Sequence, residues 1–337
     1  MKFRRGKIAL IVFAGVLAVA SAGARGAETF AKPEKGRLEI AIAAWGPTTL
    51  PLLVAQEAGY FARHGLTVSI TQVSASAAVQ GVVSGAIDIY QGGAAAIAAT
   101  LAGASIIYIA AGVDRSSLVL FGQKGLTAFE MLRGKAVATT SPGAFGEIAM
   151  RMTARKYGME VGRDIKLLYH RSVQEALSTF LVANSDGLII TPPATEVARK
   201  QGYPVMVDYY RDGLKIIGPG TAVTREFAQK NLNTLKAYLR ACLDGVKRAL
   251  DDEEFAKKVD AKYEKISDAK TLTENYQQGA RVWNKDMTID PAAIRLVLDD
   301  SSDPKAKSAD PKIFYDNSII EAVNREYAVK LFPEAVK

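Results

Sequence analysis

Five short segments carry the residue types that can hold a small molecule. They are Trp45-Gly46-Pro47-Thr48-Thr49, Ser74-Ala75-Ser76, Gln91-Gly92-Gly93, Thr139-Thr140-Ser141-Pro142-Gly143-Ala144-Phe145 and Thr191-Pro192-Pro193. Each follows a strand-like run and leads into a helix-like one. A helix N-terminus leaves backbone N–H groups unpaired and carries a partial positive charge. Gly and Ala let a ligand come close to that backbone, and Ser and Thr add hydroxyls. The chemistry implied is non-covalent capture of an anionic group such as a carboxylate, sulfonate or phosphate. The plainer alternative is that each Ser or Thr caps its own helix. Trp45 reads as a pocket wall or as a structural plug. Phe145 occupies the matching loop of the second half, and Tyr90 ends the third strand.

Covalent chemistry has little support. The chain holds two histidines, His64 and His170. His64 precedes a helix cap and reads as solvated; His170 ends a strand and is placed to face a crevice. No Gly-x-Ser-x-Gly elbow accompanies them. Neither a Gly-x-x-x-x-Gly-Lys-Ser/Thr phosphate loop nor a Gly-x-Gly-x-x-Gly motif is present. Two His and one distant Cys do not make metal-ligand spacing, so no metal and no cofactor is expected. Asp251-Asp252-Glu253-Glu254 reads as an acidic helix start, not a catalytic pair. Arg115 and Arg171 follow strand ends, and each either holds an anion or lies at the surface.

The elements that must position these loops follow from hydrophobic periodicity. Strands are expected at 38–43, 67–73, 87–90 and 106–111, with helices at 50–61, 77–84 and 94–103 between them. Gly65 suits a helix C-terminus. After residues 113–124 a second, similar series begins. It has strands at 136–139, 165–169, 188–190 and 205–207, with helices at 144–157, 173–182 and 195–200. Strands alternating with helices imply right-handed crossovers and a mostly parallel sheet in each half. In such sheets ligands bind beyond the carboxyl ends of the strands, which is where the five loops lie. Beyond Thr224 the pattern turns helical: 225–250, 253–264, 268–283, 290–299 and 317–330. Cys242 lies on a helical apolar series (Leu232, Leu235, Leu239, Cys242, Val246, Leu250) and reads as core; Trp283 does too.

Lys2, Arg4, Arg5 and Lys7 precede a 13-residue apolar run, Ile8 to Ala20, followed by small residues. This is the build of a secretory signal peptide, shorter than the about 20 residues of a membrane-spanning helix, with an uncleaved N-terminal anchor as the alternative. Cleavage is expected after Ala22, Ala24 or Ala27, giving a signal over 1–27 and a protein that works outside the cytoplasm. Removing 1–27 takes away five basic residues and no acid. It leaves 38 Lys+Arg against 35 Asp+Glu, a net of +3 in place of +8. With no basic run beside it, that balance argues against a nucleic-acid partner.

Several segments resemble those of a known family. Ala55-Gln56-Glu57-Ala58-Gly59-Tyr60-Phe61-Ala62-Arg63-His64-Gly65-Leu66 is similar to its "A…GYF…GL" element. Ser84-Gly85-Ala86-Ile87-Asp88-Ile89 resembles a Gly-x-hydrophobic-Asp step. Leu132-Arg133-Gly134-Lys135-Ala136-Val137 resembles the entry to a second lobe, with Asp186 and Pro192 following in order. The resemblance is to periplasmic substrate-binding proteins of ABC importers, in the nitrate/sulfonate/taurine group, which is related to the thiamine-pyrimidine synthases. The clustered cysteines of those synthases are absent, and Asn184-Ser185-Asp186-Gly187 departs from the usual Gly-hydrophobic-Asp-Ala. The resemblance implies an α/β, two-lobe type II periplasmic-binding-protein fold. Each lobe would be a small mixed sheet flanked by helices, hinged at two crossover segments. Residues 28–115 with 213–337 would form lobe one, and 116–212 lobe two. It further implies a monomer that binds a small molecule between the lobes and delivers it, unaltered, to an inner-membrane ABC permease. Trp45, Thr48, Thr49, Ser74, Ser76, Gly92 and Gly93 would line one wall; Ser141, Gly143, Ala144, Phe145 and Thr191 the other. An enzyme on the same scaffold, or a periplasmic ligand sensor, are the alternative readings.

Overall fold

The computed structural model describes residues 30–43, 45–140, 142, 144–192 and 194–336. The expected signal peptide, Ser141 and Gly143 lie outside these residues. From Lys32 onward the chain makes one compact unit containing two five-stranded sheets. The first comprises β1 (Arg37–Ile42), β2 (Thr67–Gln72), β3 (Ile89–Gly92), β4 (Ile106–Arg115) and β10 (Lys215–Thr224), in the order β2-β1-β3-β10-β4. The second comprises β5 (Val119–Gly122), β6 (Lys135–Thr139), β7 (Ile165–Tyr169), β8 (Gly187–Ile190) and β9 (Val205–Asp208), in the order β7-β6-β8-β5-β9.

The two sheets are built alike. In each, three strands run parallel, β1 with β2 and β3, and β6 with β7 and β8. The remaining central strand is antiparallel to its neighbours and comes from a crossing of the chain. After β4 the chain leaves the first sheet and enters the second as β5. After β9 it returns to the first as β10. Strand–helix alternation implies mostly parallel sheets, and four strands of each sheet do point the same way; each sheet is mixed through the single antiparallel strand inserted into it, β10 or β5, which the periodicity reading lacked. The crossings lie side by side, with Ser116 N donating to Leu214 O at 3.0 Å and Tyr209 N to Leu118 O at 3.1 Å. Lys215 and Asp114 pair at 2.7 Å across them.

One side-chain device appears in both lobes. Asp88, just before β3, accepts from Glu39 N of β1 at 2.9 Å and pairs with Lys35 at 2.7 Å. Asp186, just before β8, accepts from Ala136 N of β6 at 3.0 Å and pairs with Lys135 at 3.2 Å. Each carboxylate fixes the register of two parallel strands at the edge away from the loops.

Helices cover the sheets. In the first lobe α1 (Leu50–Glu57), α2 (Tyr60–Arg63), α3 (Ala75–Ser84) and α4 (Ala95–Leu101) follow the strands. In the second, α5 (Phe145–Lys156), α6 (Val173–Leu181) and α7 (Ala194–Lys200) do so. The helical last third consists of α8 (Arg225–Lys230), α9 (Leu232–Asp251), α10 (Glu253–Glu264), α11 (Ala269–Ala280), α12 (Pro291–Asp300), α13 (Ser318–Val323) and α14 (Val329–Leu331). The helix expected over 225–250 is two helices, since Asn231 interrupts it. Among the described residues no helix is long and apolar enough to cross a membrane.

Helix α9 carries the first lobe's core on its buried face, Cys242 included. Burial pushes the Cys242 thiol up to about 12, so it serves as packing and not as a nucleophile. A β-carbon on Gly245 would lie 2.2 Å from Pro51 O, so only glycine lets α1 cross α9 this closely. His64, expected to be solvated, has its side chain buried; its Nε2 lies 2.8 Å from Asp244 of α9, which also accepts from Arg63 and Tyr327. The partner is 180 positions away, which no local reading anticipates.

Asp88 is nearly buried and Asp186 is over a third exposed. Asp88→Ala is therefore expected to cost about 2–3 kcal/mol, and Asp186→Ala about 1 kcal/mol. Urea unfolding of the two variants checks this order.

Candidate functional site

The carboxyl ends of β1, β2 and β3 share one edge, as do those of β6, β7 and β8. The loops that leave these edges meet where Phe145, the first residue of α5, reaches the first lobe. A β-carbon on Gly93 would sit 3.8 Å from Phe145 Cε2, and one on Gly218 would sit 3.9 Å from the same atom. Gly93 follows β3 and Gly218 belongs to β10. The end of β3 and the body of β10 in one lobe thus meet one aromatic ring of the other.

The floor on the first lobe's side is shaped by tyrosines. The Tyr90 ring lies against Gly92, leaving no room for a β-carbon, and the Tyr108 ring does the same at Gly220. The Tyr108 hydroxyl donates to Gly93 O. The sequence reading of Gly92 and Gly93 as a pair of close-approach positions separates here: Gly92 is filled by its own lobe, whereas Gly93 faces the other lobe. Tyr90 is part of the core.

The first loop is held by the C-terminal helices. Trp283 Nε1 donates to Pro47 O at 2.8 Å. Gly279 leaves the space for this, since a β-carbon there would lie 2.6 Å from Pro47 O. The Thr49 hydroxyl donates to Gly46 O at 3.0 Å. Thr48 and Thr49 also border a void of about 30 Å³ with Gln91 and Cys242. Trp45 leans on Tyr263 of α10, ring centroids 5.2 Å apart, and on the first lobe's core. Ser74 caps α3 through Ala77 N at 3.3 Å and lies 3.2 Å from the Ser76 hydroxyl, both exposed.

In the second lobe Ala144 is the N-cap of α5 and gives no side-chain cap. Thr191 is half-buried after β8. The Thr139 hydroxyl, buried at the end of β6, lies against Gly146 and has no hydrogen-bond partner among the described residues. His170 is spent inside the lobe: Nε2 lies 2.8 Å from the Thr179 hydroxyl and Nδ1 3.2 Å from Thr139 O. Arg171 is exposed and uses its backbone N–H to donate to Glu175. Arg115 lies near Asp114 at 3.7 Å, bordering a cavity of about 830 Å³ beside the crossings.

A pattern in helix starts separates the loops. Of the helices that follow parallel strands, α3 and α6 are capped by Ser74 and Ser172. Helices α1, α4 and α5 have no side-chain cap at Thr49, Ala94 and Ala144. In each of these three helices the third residue donates to the N-cap carbonyl (Leu52 to Thr49, Ile97 to Ala94, Glu147 to Ala144) and Pro51 carries no N–H, so what is left for another acceptor is the first N–H of α1 and the first two of α4 and α5.

Two acid clusters border these loops. Glu264, at the end of α10, is hydrogen-bonded with Asp260, which accepts from Asn275 at 3.0 Å. Burial, reinforced by the Asp260 charge, pushes Glu264 up to about 7. Its Oε1 is buried without a hydrogen-bond partner and faces Gly46. In the second lobe Glu147, only 5 % exposed, pairs with Arg151 and hydrogen-bonds Tyr169 at the end of β7. Sequence reasoning missed Glu264, Glu147 and Gly218. The acids sit on helix faces rich in charge, and Gly218-Pro219-Gly220 has the composition of a turn. Among the described residues no group of His, Cys, Asp and Glu could hold a metal ion.

Gly93→Ala is expected to leave the unfolding midpoint within about 0.5 kcal/mol of the parent, because the methyl meets only ordinary contacts there. It should still weaken any ligand held beside Phe145, which calorimetry would register. A second expectation concerns pH. Glu264 has a folded pKa raised above its ordinary 4.5. Its protonated form therefore favours the fold, and that contribution is complete below about 4.5 and lost as pH rises to about 7. Glu264→Gln should remove this fall, so the stability difference between variant and parent should change across that window and stay flat above it.

Residues 46–256, more than half the chain, match the family described as NMT1/THI5 like. No curated protein matches the sequence. Among solved structures the chain is similar to the periplasmic aliphatic sulphonate binding protein SsuA of Escherichia coli. That match has 18% identity and a TM-score of 0.62, covering 90% of each chain. It is similar to a putative periplasmic sulfonate-binding protein SsuA of Methylobacillus flagellatus, at 17% identity and a TM-score of 0.66, covering 88% of this chain and 95% of that one. It is also similar to the periplasmic nitrate-binding protein NrtA of Synechocystis, at 14% identity and a TM-score of 0.59, covering 91% and 93%. The likeness of whole chains establishes the periplasmic-binding-protein fold, and the chain belongs to the NMT1/THI5-like family.

Proposed function

We propose that this protein is the extracytoplasmic solute-binding component of an ABC importer, capturing a small anionic ligand between its lobes and passing it to a membrane permease. The observation that carries the reading is the convergence of Phe145 with Gly93 and Gly218 at the facing strand ends. The uncapped starts of α4, just after Gly93, and of α5, at Phe145 itself, leave the N–H groups of their first two residues for an acceptor near that point, and such contacts contribute about 0.3–2 kcal/mol each. Glu147 would repel an anion at the first turn of α5, but Arg151 neutralises it.

Phe145, Gly93, Ala144, Thr191 and the Trp45–Thr49 loop are the residues we assign to the ligand, with Ser141 and Gly143 completing the second wall. Ser74 and Ser76 form an outer rim. A ligand that touches both walls favours the closed arrangement, because only there does it gain both sets of contacts. The segments at 116–118 and 209–214, where the chain passes between sheets, serve as the hinge. The basic, apolar, small-residue leader over 1–27 supports export to the periplasm by a cleaved signal. His170 has both nitrogens engaged within its lobe, which leaves an enzyme reading without its base. The ligand class follows the relatives: the named neighbours bind sulphonates and nitrate.

The test is a thermal-shift panel of ethanesulfonate, nitrate, bicarbonate, a pyrimidine and an aromatic acid. A true ligand at 100 times its dissociation constant should stabilise the fold by about 2.7 kcal/mol. Mass spectrometry should recover it unchanged. Phe145→Ala should abolish most of the shift while leaving ligand-free stability near that of the parent. A panel that shifts nothing, or a ligand recovered altered, overturns the proposal.

A further inference from the structure

The two flanks of the cleft differ. On one flank the lobes are joined. Glu147, Arg151 and Arg155 stand four residues apart along one face of α5. Arg155 donates to Asp299 O at 2.9 Å and to the Asp300 carboxylate at 3.2 Å, at the C-terminus of α12 in the other lobe. A guanidinium there answers both a side-chain charge and the unpaired carbonyls of a helix end.

On the opposite flank α7 of the second lobe faces α11 of the first across two grooves of about 610 and 420 Å³. Glu196 and Lys200 of α7 and Glu274 of α11 line both grooves, and Lys270 of α11 lines one. Each helix presents an acid and a base four residues apart. Among the described residues no ion pair joins α7 to α11. Glu196 lies 3.8 Å from Arg199, and Glu274 lies 3.9 Å from Lys270, each within its own helix. Four alternating charges thus confront one another over a gap, while the other flank is already bridged.

We propose that Lys200 and Glu274, flanked by Glu196 and Lys270, are positioning residues for ligand capture, forming cross-lobe ion pairs as the lobes swing closed about the two crossings, with the α5–α12 contact kept on the other flank. The inference rests on the reading of the cleft as the ligand site. These residues never touch the ligand. They act through the population of the closed state, and apparent affinity scales with that population. Exposed pairs of this kind weaken with salt.

The test uses the full mature chain with spin labels on Val182→Cys and Leu232→Cys, exposed positions in the two lobes; the native Cys242 is buried. Lobe-to-lobe distances are measured without ligand, and then with ethanesulfonate or nitrate. Lys200→Glu and Glu274→Lys should each lower the closed fraction at low salt and weaken binding of the probe about twofold to fivefold. The double reversal should restore both, and about 1 M salt should erase the differences. Parental distances and affinity in both single variants, or a double variant worse than either single one, overturn the inference. If neither probe moves the parent, the ligand-free distances still decide it: a closed fraction unaffected by salt and by both reversals refutes the pairing whatever the cleft binds.

Discussion

Everything at the cleft depends on the chain passing twice between two sheets. A strand that crosses and then inserts antiparallel into the far sheet cannot move without disturbing two neighbours. β5 lies between β8 and β9, and β10 between β3 and β4. This exchange sets the two lobes so that the carboxyl ends of their parallel strands face one another. It also brings Gly218 of β10 to Phe145 of α5. The crossings lie side by side and are tied by Asp114 and Lys215.

The helical last third has a task beyond covering one face of a sheet. Its residues seat the first loop: Trp283 holds Pro47, Gly279 makes room for it, Tyr263 supports Trp45, and Glu264 lies under Gly46. A loop of Gly, Pro and Thr has little intrinsic preference for one shape, so its shape is imposed by what it packs on. The cost is a carboxyl pair, Asp260 and Glu264, taken partly out of water, where desolvation raises both. Such a pair weakens the fold as pH rises toward neutrality. Its place directly behind the Trp45–Thr49 loop means that the loop's support is itself sensitive to protonation.

Local chemistry alone determined much of this protein. The strands read at 38–43, 106–111 and 188–190, the amphipathic helices, the capping serine at 74, the apolar setting of Cys242 and the succession of two α/β halves all follow from periodicity, caps and short motifs, because these are properties of neighbours in the chain. The tertiary structure alone decided the rest. Val119–Gly122 becomes a strand through pairing with β8 and β9 on its two sides, and Gly218-Pro219-Gly220 becomes one only because β3 and β4 pair with it and the Tyr108 ring covers Gly220. The His64 side chain is buried because Asp244, 180 positions away, pairs with it. Of the two adjacent glycines, Gly93 rather than Gly92 faces the second lobe because the Tyr90 ring already occupies the space over Gly92. Each of these outcomes depends on a contact between residues far apart in sequence, and only the folded chain brings such residues together.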